Sequence, residues 1–466
     1  MIRKTLKFLK WSLGLLLGVP ALVYVIWICG NIWHDPLTPE LENLLAYRPQ
    51  QIAEKDNAYF DVIGLAAPDN MEPHRWGVSW FEQASANDRT MNAGGTAVLA
   101  NMQRRTLPDV SAFPCSSKET GHMCLQEIAE NPAAARNTVE QEALMLQRLD
   151  AFLDLNFQEP FREMSLQSEF PPFVPIATAS KIAVIRIALE ISQGNDDSAL
   201  NRWGKETTFF LRQAQHSPSI LGKMIAISIL NRYQKLLAEY IALHPKEALA
   251  RSSQIQAMLE HFNKDALSMQ PAFDNEATVA ARFMISPQMS LTSNGSEPND
   301  VGILVSIVGK LASPLLDKQA TANEFTRMHL ECSRVAALDD GEHISGMTAL
   351  SSLRDKPADL TTLLSFHNPI GKYILSASGN VNCVSYIYKS DDILANKQLL
   401  NWALKLKSFK VITPGLIEKE LQANRTVLEH PSTGDLPVFD PQKNTLKYPV
   451  LRQLESTSYS PLEIRL

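Results

Sequence analysis

The chain has 466 residues, with 44 Lys and Arg against 50 Asp and Glu and a net charge of −6. Arg3, Lys4, Lys7 and Lys10 account for four of the cations, so 40 basic residues face 50 acidic ones beyond position 10. A surface of that sign repels phosphate backbones and excludes nucleic acid as a partner.

The first predicted element is 11–33, which carries no charged side chain and, as a helix, is long enough for a bilayer core of ~30 Å. Four cations precede it and the first acid is Asp35, so the positive-inside rule puts the N-terminus in the cytoplasm and the rest outside. A cleaved signal peptide would be shorter and exit through small residues, whereas Trp27, Ile28, Cys29 and Trp33 are bulky. Region 1–35 is therefore expected to be a cytoplasmic tip and an uncleaved transmembrane anchor. The remaining 430 or so residues exceed one ordinary core, and further subdomains are expected at 36–165, 166–268 and 269–466.

In 36–165 the spacing predicts a short helix over 39–47 and a helical turn over 56–64, then a loop through Pro68, Pro73 and Gly77. Asn57, Tyr59 and Phe60 either line a pocket or pack inward. Outside the cytoplasm four cysteines remain, an even number in an oxidising compartment. Cys115 and Cys124 are expected to close a disulfide loop, worth about 2.5–3 kcal/mol by chain entropy. A metal reading of Cys115, His122 and Cys124 lacks a fourth ligand and the short bite of structural zinc. Cys332 with Cys383 is a candidate second bridge, open because spacing does not show proximity.

The stretch 166–268 reads as stacked antiparallel helical hairpins. One helix ends at Gly194, the next opens on Asp196, Asp197 or Ser198, and a third takes Ser217 as N-cap and ends before Pro245. A fourth is predicted over 246–264. The third helix is apolar nearly all round, with Ile227, Leu230 and Ile241 on the face of Lys223. A lysine there must either snorkel to the surface or find an anion; Glu206 on the preceding helix is the expected ion-pair partner, with Asp196, Asp197 and Glu190 as alternatives.

From 270 to 300 the chain turns polar and irregular, with 286–300 as its mobile centre. Segments 304–316 and 365–377 share a Gly-Lys pair. Near the C-terminus two extended runs, 437–439 and 446–448, flank Asp440, Pro441 and Asn444 and predict a β-hairpin. The expected fold class is mainly α: a transmembrane helix, stacked helical hairpins and a short β-hairpin near the end.

Leu221-Gly222-Lys223-Met224-Ile225-Ala226, Asn368-Pro369-Ile370-Gly371-Lys372, the stretch NAYF…GLAAP and the closing PSTGDLPVFDP resemble a group of uncharacterised single-pass bacterial envelope proteins with no assigned activity. The resemblance implies an inner-membrane location with the bulk of the chain periplasmic, and a helical build.

The chain has no H-E-x-x-H, G-x-S-x-G or S-x-x-K motif, and Gly302, Gly309 and Leu311 fail the spacing and hydroxyl of a phosphate loop. No cofactor and no metal are expected. The densest polar constellation is His329, Glu331, Cys332, Asp339, Asp340, Glu342 and His343, in which His329 and Glu331 point to different helix faces. Two functions follow. The first is a membrane-tethered protein acting by binding envelope components. The alternative is an extracytoplasmic hydrolase drawing on 329–343 and the Asn368 region.

Overall fold

The computed structural model describes residues 2–48, 52–92, 102–115, 123–164, 168–286, 309–354, 365–377, 383–449 and 462–466. The expected loop beyond Ser286, His122 and the start of segment 304–316 lie outside them. The described chain is mainly helical with a small three-stranded antiparallel sheet near the C-terminus.

Helix α1 runs Ile2–Gly30. Helix α2 (Pro39–Ala46) opens on Thr38, whose side chain accepts from the Leu41 amide, with Pro39 in the first turn where its missing N–H costs nothing. Helix α3 (Ala58–Gly64) is capped by Asn57 and lies against α4 (Pro73–Asn92). Glycine and proline both punctuate turns, so the sequence predicts a loop through Gly77. Here Pro73 starts α4, with Glu72 accepting from the amides of His74 and Arg75. A Cβ on Gly77 would drive into the Phe60 carbonyl, and one on Gly64 into that of Pro73. These glycines serve close helix packing rather than a turn.

Short helices α5 (Cys124–Glu130), α6 (Pro132–Gln141) and α7 (Ala143–Phe152) pack on the long, apolar α8 (Val174–Ser192). Helices α9 (Asp196–His216) and α10 (Ile220–Leu243) follow. The Tyr233 hydroxyl bonds Glu206 and that of Tyr240 bonds Asp196 at 2.7 Å, so partners fall along α9 as position rises along α10. The two are antiparallel, as a hairpin requires. The N-cap of α10 is Ser219 rather than Ser217, whose hydroxyl donates instead to Glu159 at 2.6 Å.

The helix expected over 246–264 is divided into α11 (Pro245–Ala250), α12 (Ser252–Glu260) and α13 (Lys264–Leu267). The irregular stretch expected from 270 is α14 (Gln270–Ile285). Its buried residues include Ala272, Ala277, Ala280 and Ala281, which let it pack closely on α15 (Lys318–Ala337); its helical face is a small-residue face, weak in hydrophobic contrast. Helices α16 (Asp340–Arg354), α17 (Pro369–Ala377), α18 (Cys383–Lys407), α19 (Pro414–Ala423) and α20 (Arg425–Leu428) complete the helical part.

Strands β1 (Val438–Asp440) and β2 (Thr445–Lys447) form the expected hairpin, with Phe439 opposite Leu446 and Asn444 in the left-handed region at φ 54°. A third strand, β3 (Glu463–Arg465), was not foreseen. It pairs Ile464 with Leu446, both fully buried, and rests on α10. One hydrophobic cluster runs from Ala58 to Ile464 and crosses the divisions expected at 165 and 268. A smaller one joins Leu41, Ala281, Met284, Ala322 and Leu375.

Among the described residues no helix is long and apolar enough to cross a membrane. The span expected over 11–33 is thus not established by the fold, although its backbone is helical to Gly30. Its last turns are not free of the body: Tyr24, Trp27, Ile28 and Asn31, one stripe at helical spacing, are partly or fully covered. The Tyr24 hydroxyl donates to the Leu311 carbonyl at 2.9 Å.

Candidate functional site at the foot of α1

Where α1 ends, three distant segments are locked together by amide side chains. Asn31 donates to the carbonyls of Trp27 (2.8 Å) and Phe366 (3.0 Å), and its Oδ1 accepts from the Asn368 amide at 2.7 Å. Asn368 stands at φ 49°, a conformation costly for side chains other than glycine, asparagine and aspartate. Its Oδ1 accepts from the amides of Asp317 (3.0 Å) and Gly371 (3.1 Å), and its Nδ2 donates to Thr321 at 2.9 Å. A Cβ on Gly371 would overlap Thr321 and Asn368, which explains the Asn-Pro-x-Gly order: cap, first-turn proline and a gap for the cap.

This lock holds Asp317, the N-cap of α15, whose Oδ1 accepts from the Ala320 amide at 2.9 Å. Asp317 is 0% exposed, and its Oδ2 accepts from the Asp35 amide at 2.9 Å. Three more titratable groups gather there. His367 Nε2 lies 3.2 Å from Asp35 Oδ2 and 3.9 Å from Asp317 Oδ2, and His34 Nδ1 lies 3.7 Å from Asp317 Oδ1. One ligand atom each from Asp35, Asp317 and His367 falls within 4.8 Å of the others, a spacing that can hold a metal ion. His34, Asn31 and Ile28 also line an adjoining cleft of about 480 Å³ with Leu316 and Lys318.

The donors of this cluster are 282 and 50 positions apart along the chain, a separation that no local spacing rule detects. The one local signal was His34-Asp35 directly after the apolar run. Asn368 itself belonged to the hydrolase alternative, and its role here is to cap and lock.

Cys115 and Cys124 come together as expected, and so do Cys332 and Cys383, a pairing that spacing leaves open. Two pairs stand at disulfide distance: Cys115 with Cys124, Cα atoms 4.7 Å apart, and Cys332 with Cys383, 6.0 Å apart. The first borders a cavity of about 210 Å³ whose acids are already committed, Glu127 to the Cys115 amide and Glu239 to that of Leu125, both at 2.9 Å. The second staples α15 to α18.

The ion pair of Lys223 with Glu206 is not formed, although both side chains are fully buried. Lys223 Nζ donates to the Ser268 carbonyl at 2.6 Å, and burial pulls its pKa down to about 7. Glu206 faces Arg186 at 3.0 Å and accepts from Tyr233. Burial raises its pKa, against the Arg186 charge and the tyrosine bond. The two lie on different sides of the α9–α10 hairpin: α8 supplies the cation for Glu206, and Ser268 at the end of α13 the acceptor for Lys223. Counting residues from the turn measured height along the hairpin but not the face.

In the constellation 329–343, His329 is buried and stacked on Phe325, whereas Glu331 pairs with Arg334 at 2.6 Å on the outside. The side chain of Asp340 lies outside the described residues. His343 bonds the Val335 carbonyl and, through Nε2, Asp391 Oδ2 (both 2.8 Å), and the same Asp391 oxygen accepts from Ser432 at 2.5 Å. This places the carboxylate between imidazole and hydroxyl. A serine nucleophile needs the imidazole next to it, so this arrangement ties α16, α18 and the loop before β1 together without activating Ser432. Tyr59 and Phe60 are buried in the core and Asn57 caps α3, so that trio packs inward rather than lining a pocket.

No protein-family model matches the chain, no curated protein is significantly similar to it, and no solved structure matches its fold.

Proposed function

We propose that this chain is a single-pass, membrane-tethered helical protein whose body lies on the non-cytoplasmic side and acts by binding other envelope components. The observation that carries the reading is the surface around the foot of α1. Ile32, Trp33, Leu311 and Phe366 are all exposed there, Trp33 at 86% and Phe366 at 66%, and Leu16, Leu17, Leu22 and Val23 are exposed along the helix above. Apolar side chains surrounding an amphipathic aromatic exit match the interfacial belt of a bilayer better than they match water. The cations at 3–10 support the orientation, and the disulfide-distance pairs fit an oxidising compartment. In a bacterium this is the inner membrane with the body in the periplasm. The binding role is supported by a helical body with two cysteine pairs at disulfide distance and exposed apolar side chains at the foot of α1.

Carbonate extraction of the full chain, with a periplasm-dependent reporter after Leu466, tests the tether. Retention in the pellet with an active reporter is expected, and release into the supernatant overturns it. Cross-linking of the anchored protein should recover a defined partner set. Recovery of none removes the binding role.

A further inference from the structure

The cluster at the foot of α1 goes beyond the tether reading and stands whether or not α1 enters a bilayer. We propose that Asp35, Asp317 and His367 form a binding site for one zinc-class divalent metal ion, which pins the exit of α1 to the start of α15 and to the loop before α17.

The donor set is the first argument. Two carboxylates and an imidazole suit a borderline transition ion, with a solvent position left open, whereas calcium and magnesium prefer all-oxygen shells. Bonds of about 2.1 Å in a tetrahedron put neighbouring ligand atoms about 3.4 Å apart. The separations here, 3.2 Å for His367 with Asp35 and 3.9 Å for His367 with Asp317, bracket that edge.

The second argument is the surroundings. Ligating histidines hold their other ring nitrogen on a carbonyl or carboxylate, which fixes ring and tautomer. His367 Nδ1 sits 3.4 Å from the Gly30 carbonyl, so Nε2 is the nitrogen turned to the carboxylates. Asp317 is held from behind by the Ala320 and Asp35 amides, and its own amide is held by Asn368. Among the described residues no lysine or arginine pairs with Asp35 or Asp317. Three donors facing one point, two of them carboxylates, are arranged as a divalent ion's ligands are, and a bound ion would offset the charge gathered there.

The test uses the full chain in detergent, with Cys29→Ser to remove the free thiol, stripped with chelator and titrated with zinc chloride against a chromophoric competitor. One ion per chain is expected. Asp35→Asn with His367→Ala, both on the exposed side of the site, should weaken binding at least tenfold with an unchanged circular-dichroism spectrum. Asp317→Asn removes a helix cap and is read only beside that pair. Cobalt in place of zinc should give visible bands of tetrahedral intensity that the paired variant lacks. An imidazole held to the carboxylates by a proton alone takes up no zinc. That result, or a loss of less than tenfold in the paired variant, overturns the site.

Discussion

Asn368 concentrates more structure than any other residue at the foot of α1. Alanine would keep the left-handed backbone at a cost of about 1 kcal/mol and lose the cap and the bond to Thr321. Asn368→Ala should destabilise the chain by about 2–3 kcal/mol in urea unfolding, and Asn368→Gly by about 1 kcal/mol less, because glycine accepts the conformation. Equal losses would show that the hydrogen bonds alone matter. Lys223 makes a pH-dependent prediction. Its folded pKa of about 7 lies below the ~10.4 of an unfolded lysine, so the unfolded chain binds the extra proton between those values. Stability of the native protein should rise across that window by up to about 1.4 kcal/mol per pH unit, and Lys223→Met should flatten the rise. The methionine variant is then at its greatest advantage below pH 7. Because Glu206 is neutralised by Arg186 and not by Lys223, Lys223→Met and Glu206→Gln should add to within about 0.5 kcal/mol in a double-mutant cycle.

Between elements, covalent and ionic ties divide the work. The Cys332–Cys383 bridge closes a ring of 51 sequence steps and Cys115–Cys124 one of 9, so chain entropy assigns about 4 kcal/mol to the first and about 2.5–3 to the second. Alanine pairs at 332/383 should lower the melting temperature more than pairs at 115/124, and peptide mapping without reduction should recover both links. His343 links α16 to α18 by charge. Burial alone would lower its pKa, but the Asp391 hydrogen bond and charge outweigh burial and raise it. Its contribution is fully present below about pH 6.5 and is lost as pH rises through the raised folded value. Asp391→Asn should therefore cost more at pH 6 than at pH 9 in the same unfolding assay. A cost equal at both would assign the tie to Ser432 instead.

For the molecule as a whole, the decisive relation is that between α1 and the body. Removing residues 2–30 takes away the Trp27 carbonyl and the Tyr24 bond but leaves Asn31 on Phe366 and Asn368. The body should stay folded, with its near-ultraviolet circular dichroism intact, and leave the membrane fraction on carbonate washing. If it stays in the pellet, Leu311 and Phe366 hold a second membrane contact.

Much of the architecture was legible before any packing was known. Turn and cap chemistry is local, so α2, α3, α8, α9 and α10 and the hairpin of β1 and β2 follow from Thr38, Asn57, Gly194, Pro245 and Asn444. The even cysteine count after the apolar run likewise pointed to the Cys115–Cys124 bridge and left Cys332 with Cys383 open. What the sequence left undecided was set by contacts between distant segments. Gly77 reads as a turn until Phe60 lies against it, and α14 reads as loop because its packing face is alanine rather than leucine. Lys223 and Glu206 are buried as their helices demanded, but which face each meets depends on α8 and on the end of α13. Asp35, Asp317 and His367 converge only because Asn31 and Asn368 close the chain on itself. Periodicity records how a helix is buried; only the tertiary structure decides what it is buried against, because that depends on segments hundreds of residues away.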